Sequence, residues 1–353
     1  MPELKWYLGG RNIGFAAAVN RLAAYAAPAD FLLLNPDAEL VGPLMATRAT
    51  LREPGTAAVG PIEEHLGKYQ SETRPKREAR PWDSARRKVT LLNVIGSAAS
   101  CDRRFRGTPL SQLYKTHPRS VDGYVTGACL AIRRDAWEAI GPFDEEFFLY
   151  GEEADWQRRA IAAGWKVSLQ EEVGYRHTAG GTVSDDATAS LRSEDLLRSN
   201  YALTLEYRYG PFVADLFLAI TAAIEFLRVA VGRNAARPTK IVADIVIPLD
   251  VRDEAATAQR IRTANALQSA GYQVALVTLG RLGGLAAEVP TSLRLLRWPW
   301  WWPLSTTQAS TTVLIPGRRT RRDTGIRLVS RLFRRAKVSS GDELPVLTTR
   351  GKG

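Results

Sequence analysis

Short unbroken apolar runs alternate along this chain with alanine-rich stretches of helical period, a pattern that predicts a layered α/β fold with a mostly parallel sheet and flanking helices. Lys5–Leu8 reads as a short strand, Asn12–Ala26 as a helix and Phe31–Leu34, "FLLL", as a buried parallel strand stopped by Asn35-Pro36-Asp37. Strand, helix and strand in that order form a βαβ unit, which takes about 30 residues. Val59 and Gly60 read as the end of a further strand. From Gly67 to Arg106 the periodicity dissolves into prolines and basic residues, and a solvated loop region is expected.

Order returns with a strand over Tyr124–Ile132, a short helix over Asp135–Ile140, a helix over Glu152–Ala163 closed by Gly164, and a strand over Trp165–Leu169. Ser193–Tyr209 and Phe212–Val231 predict two more helices, and Asn234–Thr239, "NAARPT", a linker. A second βαβ then begins, with "IVADIVIPL", a helix over Glu254–Ala270 and "GYQVALVTL". This divides the chain into residues 1–205, a helical or interfacial segment 206–233, and a partial α/β region 240–353 with a basic tail. No short-period repeat is present.

Composition changes the picture in three respects. With 45% hydrophobic and 24% charged residues, most of the 353 residues are expected to fold around a core. A net charge of +11 suits an anionic partner. No helix-turn-helix, RNA-binding or zinc-finger pattern accompanies that charge, so no nucleic acid is expected. Two cysteines, Cys101 and Cys129, are too few for a disulfide framework and read as reduced thiols. The N-terminal residues contain no apolar signal-peptide core, and a cytoplasmic protein is expected. The most apolar stretch, Pro211–Gly232, is interrupted by Asp215, Glu225 and Arg228, so it reads as a buried or interfacial helix rather than a span.

Three places offer chemistry. Asp37 follows the Phe31–Leu34 strand, where α/β sheets bind ligands, and a hard oxygen there suits Mg²⁺ or Mn²⁺; Asn-Pro-Asp is equally a strand-ending turn. Glu152, Glu153 and Asp155 crowd together, which raises one pKa and poises a general base; they are equally an acidic first helical turn facing the helix dipole. His177, in "YRHTAGGT", precedes the Gly180-Gly181 pair, and suits a metal or a diphosphate as well as a plain surface position.

Taken in order, "RNIGFAAAVN", "LLLNPDAEL", "GYVTGACLAIRRDAWEAIGPFDEEFFLYGEEADWQRRAIAAGWKV" and "YRHTAGGT" closely resemble the family 2 glycosyltransferases, nearest to the rhamnosyltransferase-like enzymes of bacterial polysaccharide and cell-wall assembly. The resemblance covers about residues 5–205 and rests on four motifs in family order. It implies a GT-A fold and inverting transfer of a sugar, with rhamnose as one candidate, from a nucleotide-diphosphate sugar to a glycan or lipid-linked glycan acceptor at the cytoplasmic face of the membrane. It further implies that Asp37, with His177, holds the divalent metal. Asn12, Gly14, Asn20 and Asn35 would line the donor, Gly127 and Trp156 the acceptor side, and Glu152-Glu153 would carry the catalytic base. Glu153 stands where many relatives have Asp, which leaves Asp155 as an alternative base. Such enzymes begin with about two βα units ahead of "GRNIGF" that this sequence does not contain, so a shortened relative, an upstream start, a second chain supplying that part, or an inactive partner-binding remnant are all expected possibilities. Ile245–Gly280 weakly resembles the first βαβ of a GT-B glycosyltransferase.

Peripheral membrane contact is expected from the Pro211–Gly232 helix, the Trp298–Trp302 cluster and the Arg318–Lys337 tail. Tryptophan favours the headgroup boundary, and each basic residue near an anionic surface contributes about 1 kcal/mol. The protein should co-sediment with anionic vesicles at low salt and be released at high salt. Deleting residues 297–353 should weaken that binding; equal sedimentation with neutral vesicles would contradict an electrostatic anchor.

Overall fold

The computed structural model describes residues 10, 12–64, 80–177, 187–230, 243–249, 253–278, 280–282, 284–297, 312–315 and 337–340. The expected Lys5–Leu8 strand, the Gly180-Gly181 pair, the 234–239 linker, the Trp298–Trp302 cluster and residues 318–336 of the basic tail lie outside the described residues. The fold is mixed α/β and divides into two compact units, Met1–Asp186 with Thr204–Val213, and Ala187–Leu203 with Ala214–Gly353.

The first unit opens with α1 (Phe15–Tyr25), β1 (Phe31–Leu34), β2 (Ala38–Leu40), α2 (Met45–Leu51) and β3 (Thr56–Glu63). It continues with β4 (Ala85–Arg87), α3 (Leu91–Ala98), β5 (Gly123–Val125), β6 (Cys129–Ile132), α4 (Arg134–Ile140), α5 (Glu152–Ala162) and β7 (Lys166–His177). Five strands form one sheet in the order β1-β6-β3-β7-β2, and β4 pairs with β5 in a separate ribbon. Only β3 and β7 run parallel; the other pairs of the main sheet are antiparallel.

Three expectations are corrected here. Phe31–Leu34 is not a buried parallel strand: among the described residues β1 lies at the edge of the sheet, antiparallel to β6, with Leu32 and Leu34 exposed. Its inward residue Phe31 meets Trp137 edge-on at 5.2 Å. Four apolar residues in a row hide this alternation, because periodicity is invisible when the outward positions are apolar too. Tyr124–Ile132 is two strands in two sheets, parted at Thr126-Gly127-Ala128. Gly67–Arg106 is not loop throughout, since it contains β4 and α3. Thr90 caps α3 by accepting from the Asn93 backbone N–H, while the Asn93 side chain accepts from the Thr90 N–H, a reciprocal cap that the sequence Thr-Leu-Leu-Asn carries openly.

The core of this unit is aromatic. Trp156 is fully buried, donates its indole N–H to the Gly141 carbonyl at 2.8 Å, and packs on Trp137 and Phe143 at ring separations of 5.7 and 6.4 Å. Burying such a side chain removes about 200 Å² from water and contributes about 5 kcal/mol. Buried Arg134 braces the edge strand: its guanidinium donates to the carbonyls of Ala29 and Ala23 and lies over the Phe31 ring at 5.2 Å.

Unit two is built from α6 (Ala187–Tyr209) and α7 (Pro211–Ala230), each shared with the first unit by its chain limits, followed by β8 (Ile245–Leu249), α8 (Glu254–Ser269), β9 (Val274–Thr278), α9 (Leu285–Glu288), β10 (Arg294–Arg297), β11 (Thr312–Ile315) and β12 (Lys337–Ser340). Its sheet is wholly parallel, in the order β10-β9-β8-β11-β12. "IVIPL" and "VALVT" are buried at every position, as continuous apolar runs in a parallel sheet should be. Asp253 caps α8 through the Ala256 N–H. Arg294 makes a buried two-pronged pair with Asp195 at 2.9 and 3.0 Å, and burial lowers the pKa of Arg192 to about 10 against the pull of Asp195. α7 buries Phe217, Leu218 and Ala222. Among the described residues no helix is long and apolar enough to cross a membrane.

Because Trp156 is interlocked with two aromatic rings, Trp156→Ala should destabilise the first unit by about 3–5 kcal/mol. A denaturant titration followed by circular dichroism would show its transition moving to lower denaturant, and an unmoved transition would contradict this packing.

Candidate active site

Asn35-Pro36-Asp37 is a tight turn. The Asn35 N–H donates to the Ala128 carbonyl at 3.0 Å, which extends the β1–β6 pairing by one residue. The Ala38 N–H then donates to the Asn35 carbonyl at 3.0 Å, so Pro36 and Asp37 occupy the two central positions of a β-turn, with proline where its fixed φ is preferred. The chain passes directly into β2, whose Ala38 sits opposite His177 at the end of β7. That register brings His177 Nε2 to 3.0 Å from Asp37 Oδ1. Both side chains are largely sheltered, at 11% and 20% exposure for Asp37 and His177. A carboxylate only accepts, so the imidazole N–H donates and the ring is oriented by the bond.

The acidic cluster reaches the same end of the sheet from the other side. Gly127, beside Ala128, lies against the side chain of Glu153: a Cβ on Gly127 would stand 3.7 Å from Glu153 Cγ. Gly151, at φ +98°, turns the chain into α5, and its N–H donates to Glu153 Oε2 at 3.2 Å. Backbone contacts thus run without a break from Asp37 through Asn35, Ala128 and Gly127 to Glu153.

The three acids have three different environments. Glu152 is buried and its Oε2 has no hydrogen-bond partner among the described residues. Burial first, then the charge of Glu153, holds its pKa well above the usual carboxylate range. Glu153 is only half-buried; burial raises its pKa, and the backbone N–H groups around it, those of Gly151, Ala154 and Gly127 included, draw it back down. Asp155 is buried and committed: Arg158 donates to it at 2.6 Å and Arg159 at 2.9 Å, while Arg159 also bonds the Ile140 and Pro142 carbonyls. Asp155 is therefore a structural lock on the loop ahead of α5. Of the three, Glu153 alone combines solvent access with a raised pKa.

Several predicted contacts lie elsewhere. Trp156 is core and has no surface to offer an acceptor. The Asn20 amide is spent on the loop before α5, donating to the Phe143 carbonyl and to Glu145 and accepting from the Phe143 N–H. Gly14, at φ +86°, lies so close to Phe148 that a Cβ would stand 2.6 Å from its ring, and the Phe15 N–H donates to the Phe148 carbonyl at 2.7 Å. Asn12 closes that turn by accepting from the Gly14 N–H. In this structure the "RNIGFAAAVN" motif braces the segment that leads to Glu152 and Glu153.

Gln157 was missed. It is fully buried on α5, accepts from the Val125 N–H, and donates to the Val125 and Glu153 carbonyls at 2.8 and 3.0 Å. Its position four residues after Glu153, on the apolar side of a short helix, was the available signal. Among the described residues no group of three or more His, Cys, Asp or Glu is arranged to hold a metal.

A comparison with characterised proteins now bears on this geometry. Two matching proteins, from two strains of Mycobacterium tuberculosis, are N-acetylglucosaminyl-diphospho-decaprenol L-rhamnosyltransferases, 29% identical over 206 residues. The chain resembles rhamnosyltransferases. The match covers 53% of this chain and 63% of each relative, so the chain spans somewhat under two thirds of their length. No protein-family model matches. The rhamnosyltransferase-like chain thus pairs a sheltered Asp-His couple with a half-open glutamate at one end of its sheet.

The raised pKa of Glu152 has a definite consequence for stability. A folded state that binds this proton more tightly than the unfolded chain loses stability as pH rises from the ordinary carboxylate value through the raised one. Glu152→Gln carries no such penalty, so its stability relative to the parent protein should improve steadily from pH 5 to 8. Urea unfolding across that range measures the difference, and a constant or declining difference would show Glu152 ionised in the fold.

Proposed function

We propose that this chain transfers a sugar, with rhamnose the first candidate, from a nucleoside-diphosphate sugar to a lipid-linked, diphosphate-bearing glycan, inverting the anomeric carbon. The observation that carries this reading is the unbroken backbone path that ties Asp37 and His177 to Glu153. The resemblance to rhamnosyltransferases supports the donor and acceptor classes. Glu153 accepts the proton of the attacking acceptor hydroxyl, the new C1–O bond forms, and the C1–O bond to the diphosphate breaks with its electron pair leaving on the phosphate oxygen. The raised pKa of Glu152 beside it disfavours a second negative charge next to the base. Gln157 fixes the carbonyl of Glu153 and so the direction from which its side chain enters.

Asp37 and His177 lie side by side, and a carboxylate and an imidazole that gives up its hydrogen bond to the carboxylate would both be ligands for Mn²⁺ or Mg²⁺. Asp37 and His177 would hold that ion and leave its other positions to phosphate oxygens and water. The ion would supply Lewis-acid neutralisation of the departing diphosphate. Asp37 cannot do this by itself, since one carboxylate is a poor site, and metal binding should therefore require a nucleoside diphosphate.

The test is transfer from a panel of nucleoside-diphosphate sugars, rhamnose included, to N-acetylglucosaminyl-diphospho-lipid, with product followed by mass spectrometry. Glu153→Gln should lower kcat by about 10²–10⁴-fold with donor affinity unchanged. Asp37→Ala should abolish diphosphate-dependent Mn²⁺ binding in calorimetry. Product from no donor, or full turnover in Glu153→Gln, overturns the reading.

A further inference from the structure

The two halves of the candidate site share a buried tyrosine. At its end β7 pairs with β2 in unbroken register, Tyr175 opposite Leu40, Arg176 opposite Glu39 and His177 opposite Ala38. Side chains two apart on a strand point to one face, so Tyr175 and His177 project from the same side of the sheet. His177 meets Asp37 there. Tyr175, one step further from the strand end, is 1% exposed and joins Leu44, Ala128 and Cys129 in a small buried cluster, with Ala38 packed against it. That cluster therefore contains the residue after Asp37 and the residue after Gly127.

The other flank of Gly127 is reached by the hydroxyl. Tyr175 shares a hydrogen bond with the Thr126 side chain. The Thr126 N–H donates to the Ser84 carbonyl at 2.9 Å, which fixes the peptide ahead of Thr126. The peptide behind it carries the Gly127 N–H, one of the backbone groups that draw the Glu153 pKa down. For packing alone phenylalanine would serve at position 175, and it would bury no hydroxyl. The hydroxyl gains its place from the bond it makes.

We propose that Tyr175 is a positioning residue for Glu153: its hydroxyl, through the Thr126 side chain, holds the Gly127 N–H against the Glu153 carboxylate. The strand that carries His177 thereby also sets the base. Glu153 is taken as the base from the glycosyl-transfer reading; the hydrogen-bond path stands apart from it. An N–H that donates to a carboxylate favours the charged form. Without the Tyr175 hydroxyl that N–H is held less well, and Glu153 binds its proton more tightly. On its own segment Glu153 is flanked by Tyr150, by Glu152, whose titration is linked to its own, and by Asp155, which Arg158 and Arg159 occupy. The facing segment, Thr126-Gly127-Ala128, brings no titratable side chain.

The Glu153 carboxyl is titrated by ¹³C NMR of the full chain with carboxyl-labelled glutamate, its signal assigned by its loss in Glu153→Gln. The titration is run in the unaltered chain and again in Glu152→Gln, where Glu153 titrates without its acidic neighbour. In both, Tyr175→Phe should raise the Glu153 pKa by about half a pH unit, the effect of a loosened neutral hydrogen bond. Thr126→Val, which keeps the shape of threonine, should raise it equally, and the double variant no further than either single one. A Glu153 pKa that stays in place in Tyr175→Phe, or single shifts that add in the double variant, overturns the proposal. If Tyr175→Phe fails to fold, Thr126→Val decides, and an unmoved Glu153 there is the overturning result. In turnover, the acid limb of kcat should move to higher pH by the same amount with donor KM unchanged; transfer with that limb unmoved in Tyr175→Phe also overturns the proposal. A chain that shows the Glu153 shift yet transfers no sugar refutes the catalytic reading and leaves the Tyr175 path intact.

Discussion

One buried amide holds the candidate site together. Gln157 satisfies both the N–H and the carbonyl of Val125 and also caps the carbonyl of Glu153. Each such bond contributes about 1 kcal/mol net, and a buried donor left unmet costs about 1–3 kcal/mol. Because β5 runs directly into Thr126-Gly127-Ala128, this clamp sets the height of the glycine against which Glu153 lies. The Asn35 N–H then takes its position from Ala128, and Asp37 from Asn35. The relation between the two halves of the site passes through this backbone and the amide that secures it.

Electrostatics around α5 shows how proximity in sequence can separate function. Glu152, Glu153 and Asp155 sit on one helical turn, where three negative charges would repel. The fold resolves this by burial, which raises the pKa of Glu152, and by pairing, which sets Asp155 against Arg158 and Arg159. What remains is Glu153, the one carboxylate of the three that is only partly buried. The same arginine, Arg159, secures the carbonyls of Ile140 and Pro142, so neutralising one acid also shapes the loop that delivers the others.

The residues of the candidate site stand out in the sequence because they sit at punctuation. Asp37 stands in an Asn-Pro-Asp turn, Glu152 and Glu153 at a helix start, His177 at a strand end, and local turn and capping rules read such places directly. The second sheet was legible as well, since "IVIPL" and "VALVT" are apolar at every position and local pattern matches burial. The first sheet was not. Whether "FLLL" lies in the centre or at the edge depends on which strand pairs with it, and that partner, β6, is 95 residues further along, as Leu34 opposite Cys129 shows. The role of a polar side chain depends in the same way on distant partners: Asn20 is engaged by Phe143, Asp155 shares Arg159 with the Pro142 loop, and Gln157 reads Val125. Sequence alone determined which residues could carry chemistry. Tertiary structure decided which remain available for it, because burial and long-range hydrogen bonding, which no local pattern records, had already committed the rest.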